Sequence, residues 1–319
     1  MLSRRRFLAG IGASVLVPVS LSVRANDKTE QPGKEILGRW DLVVKSSNGE
    51  NPSWLEVRRS GYSTLVGSFV GRFGSARPIA KIDCAEGRLH FAIPPQWEGK
   101  SDLVLDGKIA GDELKGELTD EKGQRLTWTG RRAPALKRAH PPKWDKPIEL
   151  FNGKDLTGWK TQFADMKNGW IVKDGLLVNA TPGNNLLTEA TFDDFQLHAE
   201  FRYPKGSNSG IHLRGRYEVQ IEDDYGLEPD SHYIGGVYGF LTPSINAAKK
   251  AGEWQTFDIT LVGRVVTILL NGERLIDHQT IPGITGGALD SREELPGPIM
   301  LQGDHGPIDF RKVTITPGR

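Results

Sequence analysis

The chain has one cysteine, Cys84, in 319 residues. A lone thiol forms no internal disulfide and supplies no multi-cysteine zinc site, so stability must come from packing. Cys84 itself reads as a small buried apolar residue. Long amphipathic stretches with the 3.6-residue period of a helix are also missing. So is a lasting excess of positive charge. The first 25 residues carry four arginines and no acid; 41 Lys and Arg less those four, against 40 Asp and Glu, leaves a net −3. A mildly acidic chain offers a phosphate backbone no electrostatic footprint, which excludes nucleic acid as a partner class.

What the sequence has instead is 38 Gly and 19 Pro set between short apolar runs. Such punctuation favours many short strands joined by turns, and the fold class expected is all-β. Ser3-Arg4-Arg5-Arg6-Phe7-Leu8, the apolar run Ala9 to Leu21 and the small-residue context Val23-Arg24-Ala25 together form a twin-arginine signal, expected over residues 1–25. The apolar run is short for a membrane span, so export to the periplasm is expected, with no stable membrane association after cleavage. Residues 26–34 read as a disordered leader.

Residues 35–132 break into apolar runs at Trp40 to Val44, Trp54 to Val57, Thr64 to Val70, Pro78 to Cys84, Arg88 to Ile93, Asp102 to Asp106, Lys108 to Ile109, Glu113 to Leu118 and Arg125 to Arg131. This is the spacing of an antiparallel meander, and closure into about eight strands would remove its edges. Gly38-Arg39-Trp40 resembles the start of lipocalin-like barrels, so a small β-barrel-like domain is expected, able to bind a small ligand or to support its neighbour. Residues 133–147 hold four prolines, which predicts an extended linker or strap and two separately folding domains. The second domain, 148–319, shows hairpin signals at Asp174-Gly175 and Asn271-Gly272, and about a dozen strands in two stacked sheets.

The stretch from Asn208 to Glu222 carries the chemistry. Successive side chains on a strand face opposite sides, so Ile211 and Leu213 point one way and His212 and Arg214 the other. Tyr217, Val219 and Ile221 form a second apolar row beside Glu218, Gln220 and Glu222. A turn at Gly215-Arg216 would bring His212 and Arg214 next to those three on one sheet face. A half-solvated sheet gives the same alternation without any function, but this face holds groups that donate, accept and transfer protons. Asn208-Ser209-Gly210 leads into it, and glycine lets a ligand approach backbone. The acidic segment Glu222 to His232 could hold a divalent metal, though its spacing is not that of an EF-hand, and a solvated acidic loop fits it better. No other cofactor is indicated.

Phe151-Asn152-Gly153-Lys154-Asp155-Leu156-Thr157-Gly158-Trp159, Asn208-Ser209-Gly210-Ile211, Tyr217-Glu218-Val219-Gln220-Ile221, Gly252-Glu253-Trp254-Gln255-Thr256 and Leu301-Gln302-Gly303-Asp304-His305-Gly306 resemble, in order and across 148–316, the motifs of the 3-keto-disaccharide hydrolase family. Gln255 stands where that family often has Asn. The resemblance implies a concanavalin-A-like jelly-roll β-sandwich and cleavage of glycosides already oxidised at sugar C3. It also implies a partner sugar 3-dehydrogenase. A C3 ketone acidifies the C2 proton, so the site needs a base, groups for the enolate oxygen and an acid for the leaving oxygen. His212 or Glu218 is expected as base, Arg214 and Gln220 as oxygen-binding groups and Glu222 as a further catalytic carboxylate. Asn208, Ser209, Tyr238, Gln302 and His305 are expected to bind substrate. The alternatives are a conventional glycoside hydrolase of β-glucanase-like fold and a non-catalytic carbohydrate-binding module, in which Tyr217, Tyr225, Tyr233 and Tyr238 would stack on sugar.

Overall fold

The structure, a computed structural model, describes residues 33–96 and 99–319. The twin-arginine segment and the leader to residue 32 lie outside the described residues. Gly33 is buried and Lys34–Ile36 forms a 3₁₀ turn, so the end of the expected leader belongs to the fold.

Strands β1 (Gly38–Ser46), β2 (Gly49–Ser60), β3 (Thr64–Val70), β4 (Arg77–Ala85), β5 (Arg88–Ile93), β6 (Leu103–Ala110), β7 (Glu113–Thr119) and β8 (Arg125–Arg132) pair in sequence order, and β1 closes on β8. The break expected between Asp106 and Lys108 does not occur. Gly107 sits mid-strand because the Trp128 ring covers it; a β-carbon there would lie 2.5 Å from the indole. Trp40, Leu42, Leu55, Phe69, Phe91, Leu105 and Trp128 fill the barrel, which is a packed core. Cys84 is half-buried beside Glu35, and burial pushes its thiol up to about 11, so it is a poor nucleophile.

Thirteen further strands follow: β9 (Ile148–Glu149), β10 (Trp159–Thr161), β11 (Trp170–Lys173), β12 (Leu176–Asn179), β13 (Leu186–Thr188), β14 (Asp194–Arg202), β15 (Asn208–Leu213), β16 (Tyr217–Glu222), β17 (Gln255–Val262), β18 (Val265–Leu270), β19 (Glu273–Thr280), β20 (Met300–Leu301) and β21 (Ile308–Gly318). One sheet has the order β10-β13-β20-β15-β16; the other runs β11-β12-β21-β14-β17-β18-β19, with β9 beside β21. Ile211, Val219 and Ile221 of the first pack with Phe195, Phe201, Phe257 and Phe310 of the second, which makes the all-β jelly-roll sandwich. Asp174-Gly175 and Asn271-Gly272 turn their hairpins with φ positive at both residues, as two-residue turns of this hand require.

Residues 33–319 form one compact unit, in which the barrel and the sandwich expected as two domains pack against each other. Trp54 and Val70 of the barrel are fully buried in the sandwich's core cluster, with the Trp54 ring edge-on to Phe240 at 5.3 Å. Ser291 donates to the Leu42 carbonyl at 2.5 Å and Arg39 to the Pro282 carbonyl at 3.1 Å. The proline-rich segment is a strap fixed to the sandwich: Arg138 binds Asp194 at 2.7 Å and Asp193 at 2.6 Å, and Arg264 donates to the Pro134 carbonyl. The alternating patterns of the two halves are local, and the contacts that fuse them are not.

Candidate active site

Period-two alternation builds the site on the outer face of the five-stranded sheet. In the β15–β16 ladder His212 pairs with Glu218, Gly210 with Gln220 and Asn208 with Glu222, while Ile211 and Val219 go to the core. Residues 235–238 add backbone bonds along the far side of β16, and Tyr238 N–H donates to the Glu218 carbonyl at 3.0 Å. On the near side Gln302 N–H donates to the Gly210 carbonyl at 2.9 Å. Gly210 leaves room for chemistry as expected, but the room is taken by the Glu218 carboxyl: a β-carbon there would lie 2.6 Å from its Oε1.

Glu218 and His212 are both almost wholly buried, and burial drives them in opposite directions. Desolvation raises the Glu218 carboxyl to about 8, against a smaller lowering by His305. Desolvation lowers the His212 imidazole to about 3. Near neutral pH both are therefore uncharged, and their 3.7 Å separation is neither an ion pair nor a hydrogen bond. His305 is held above its usual range by its 2.8 Å hydrogen bond to Asp304; burial opposes this. In Asp304 the same bond overcomes burial and keeps the carboxylate ionised. The His212 Nδ1, Gln220 Oε1 and Gln302 Oε1 atoms are buried without a hydrogen-bond partner. Such atoms are costly unless a ligand satisfies them.

These groups line a cleft of about 660 Å³ with Asn208, Tyr238, Asp304 and His305. Of the expected site residues, His212, Glu218, Asn208, Gln220, Tyr238, Gln302 and His305 are thus brought together. Arg214 is not. The strand ends at Leu213, Arg214 takes φ +52°, and the turn is the three-residue Arg214-Gly215-Arg216, closed by Arg216 N–H on the Leu213 carbonyl. Its guanidinium is fully buried away from the cleft, on Asp193 at 2.9 Å, the Gly263 carbonyl at 2.7 Å and the Tyr217 hydroxyl at 3.1 Å. Ser209 stands on the core-facing row and donates to the Gln302 carbonyl. Glu222 lies beyond the cleft lining, where its carboxylate accepts from Gln220 Nε2 at 3.4 Å. Tyr217 is core, Tyr225 is exposed beside Lys250, and neither Tyr225 nor Tyr233 lines the cleft.

No group of three or more His, Cys, Asp or Glu side chains among the described residues could hold a metal ion. In the acidic loop one oxygen of each of two carboxylates goes to backbone: Asp224 Oδ2 accepts the Ile234 N–H at 2.7 Å and Asp223 Oδ2 the Gly206 N–H at 2.8 Å.

A family profile described as 3-keto-alpha-glucoside-1,2-lyase-like domain matches residues 146–316. The chain belongs to this family. The chain is also 25% identical over 175 residues to the 3-keto-disaccharide hydrolase of Bacteroides thetaiotaomicron, a match spanning 43% of this chain and 60% of that protein. A crystal structure from Parabacteroides distasonis, provisionally described as a glycosyl hydrolase, is 31% identical, with 56% of this chain and 92% of that one aligned at a TM-score of 0.46. A second from the same organism, described likewise, is 26% identical, covers 54% and 98%, and gives a TM-score of 0.42. The candidate site residues His212, Glu218, Gln220, Gln302 and His305 all lie within 146–316, the span of the 3-keto-alpha-glucoside-1,2-lyase-like domain. The cleft does not: Asn48, Glu50, Asn51 and Pro52 of the first barrel hairpin and Arg72, Phe73 and Gly74 after β3 also line it. Sequence pattern carried no signal for these seven, because the contacts join segments far apart in the chain, as Arg72 and Gly287 are.

Proposed function

We propose that this protein is an exported hydrolase that cleaves the glycosidic bond of 3-keto-glycosides by elimination and hydration. The observation that carries this is the buried His212–Glu218 pair, in which one group is ready to accept a proton and the other to donate one at the same pH. His212, neutral, takes the C2 proton. The electron pair moves onto the ketone as an enolate, whose oxygen is bound by His305; this imidazole, whose protonated form the Asp304 hydrogen bond favours, takes the part expected of Arg214. The enolate then expels the C1 oxygen, which receives the Glu218 proton. Water adds to C1 of the unsaturated ketone as the Glu218 carboxylate recovers a proton from it, and His212, whose imidazolium has exchanged its proton with solvent, reprotonates C2. The products are a 3-keto sugar and the free leaving group. Gln220 Oε1 and Gln302 Oε1 accept hydrogen bonds from sugar hydroxyls.

Direct displacement at C1 by a carboxylate pair finds less support. Glu218 and Glu222 are four residues apart on a regular strand, about 13 Å between Cα atoms, beyond the ~5 Å separating the carboxyls of a retaining pair. A carbohydrate-binding module would have no use for a protonated carboxyl beside a neutral imidazole. The substrate implies an oxidoreductase that converts the C3 hydroxyl to a ketone, and the twin-arginine sequence is what supports a reaction outside the cytoplasm. Incubation with 3-keto-trehalose and with trehalose tests the proposal: only the ketone should be cleaved, and hydrolysis of both at similar rates would overturn it.

A further inference from the structure

The cleft lining divides into two chemically different sets. His212, Gln220 and Gln302 hold buried polar atoms that lack partners. Toward the barrel, Asn185 and Asn51 are already engaged: Asn185 Nδ2 donates to Gln162 Oε1 at 2.8 Å, its Oδ1 accepts the Gly303 N–H, and Asn51 Nδ2 donates to Ser46 Oγ. Beside these stand three exposed apolar side chains. Phe73, Phe163 and Met166 are 57%, 46% and 47% exposed and all line the same cleft. An exposed large apolar side chain standing alone means little, but three bordering one cavity offer area that a ligand would remove from water.

The loop carrying Phe73 is fixed to the loop that abuts His212. Gly287 N–H donates to the Arg72 carbonyl at 2.9 Å, and Gly286 packs so closely on Gly74 that a β-carbon would lie 2.2 Å from its carbonyl oxygen. Gly287 in turn lies against the His212 ring, where a β-carbon would be 3.3 Å from Cε1. The Arg72 guanidinium sits 4.7 Å from the Phe73 ring centroid and props it. Across the cleft Asn184 ties down the Phe163 and Met166 carbonyls.

We propose that the barrel supplies the leaving-group subsite, in which Phe73, with Phe163 and Met166, receives an apolar, ring-bearing aglycone. This rests on the cleft taking a glycoside, as argued above, and assigns specificity to a segment outside the family-matched region. The barrel is then neither a separate ligand-binding module nor a mere support; it forms one wall of the active site.

The test compares Phe73→Ala and Phe73→Tyr with the wild type on 3-keto methyl glucoside and 3-keto phenyl glucoside, and measures calorimetric binding of the two unoxidised glucosides. Phe73→Ala should lower kcat/KM for the phenyl substrate about tenfold, through KM, and leave the methyl substrate within about twofold. Phe73→Tyr should restore the phenyl preference. Equal losses on both substrates, or no loss on either, would overturn the subsite. If the wild type cleaves neither ketone, the proposed function fails instead. Binding then decides the subsite: a preference for phenyl glucoside that Phe73→Ala removes supports it, and equal affinity for both glucosides in both proteins overturns it.

Discussion

His212 and Glu218 face each other across one rung of the β15–β16 ladder, 3.7 Å apart and almost wholly buried, and both are uncharged near neutral pH. The strand register that makes them neighbours also removes them from water. Fold and reactivity therefore have one cause. The proposal needs Glu218 to carry a proton and His212 to lack one, which holds between about 3 and about 8.

From this follows a prediction for pH. In the folded chain Glu218 keeps its proton up to about 8, whereas unfolded it loses it near its ordinary value of 4.5. Between these values the unfolded state binds fewer protons, so this residue makes stability fall as pH rises, and the loss levels off above about 8. Glu218→Gln cannot ionise. Its melting temperature relative to wild type should climb from pH 5 to pH 8, while turnover drops at least ~10²-fold. A constant difference in melting temperature across that range would contradict the raised carboxyl.

Arg214 is predicted to matter for stability and not for turnover. Removing its guanidinium leaves Asp193 and the Tyr217 hydroxyl without it and empties a buried space, so Arg214→Ala should cost about 3 kcal/mol or more, visible as a melting temperature several degrees lower. Well below that melting point, turnover per folded molecule should stay within a few-fold of wild type. A loss of 10²-fold with an unchanged melt would return Arg214 to the reaction.

The joint between barrel and sandwich should be indispensable. Trp54→Ala deletes a side chain buried among Phe240 and the Gly283 backbone, at an expected cost of about 3–5 kcal/mol. Residues 146–319 expressed alone should fail to melt cooperatively, because the surface that Trp54 and Val70 cover becomes exposed. A soluble fragment with a sharp thermal transition near that of the whole chain would show the joint to be dispensable.

The rows of β15 and β16 were legible because alternation is local: Asn208, His212, Glu218 and Gln220 could be placed on one face from spacing alone. Arg214 was misplaced because alternation holds only while the pleat lasts, and the pleat stops at Leu213, where nothing in Arg-Gly-Arg reveals that the loop has three residues and not two. Ser209 could have been assigned correctly, since its neighbours in the same row are Ile211 and Leu213. Closure of the barrel was legible from its nine apolar runs, two of which, on either side of Gly107, form the single strand β6. That its hairpin and its Arg72–Gly74 loop wall the cleft was not, since contacts such as Arg72 with Gly287 leave no periodic trace in either segment.

Proton transfer at C2 is the central claim, and solvent isotope labelling tests it most directly. The protein is incubated with a 3-keto disaccharide in D₂O, and the released 3-keto sugar is examined by NMR after uncatalysed exchange is subtracted. Elimination and hydration through His212 predict deuterium at C2 in the product, with turnover and labelling lost together by at least ~10²-fold in His212→Ala. Product released at full rate with hydrogen retained at C2 would contradict the mechanism.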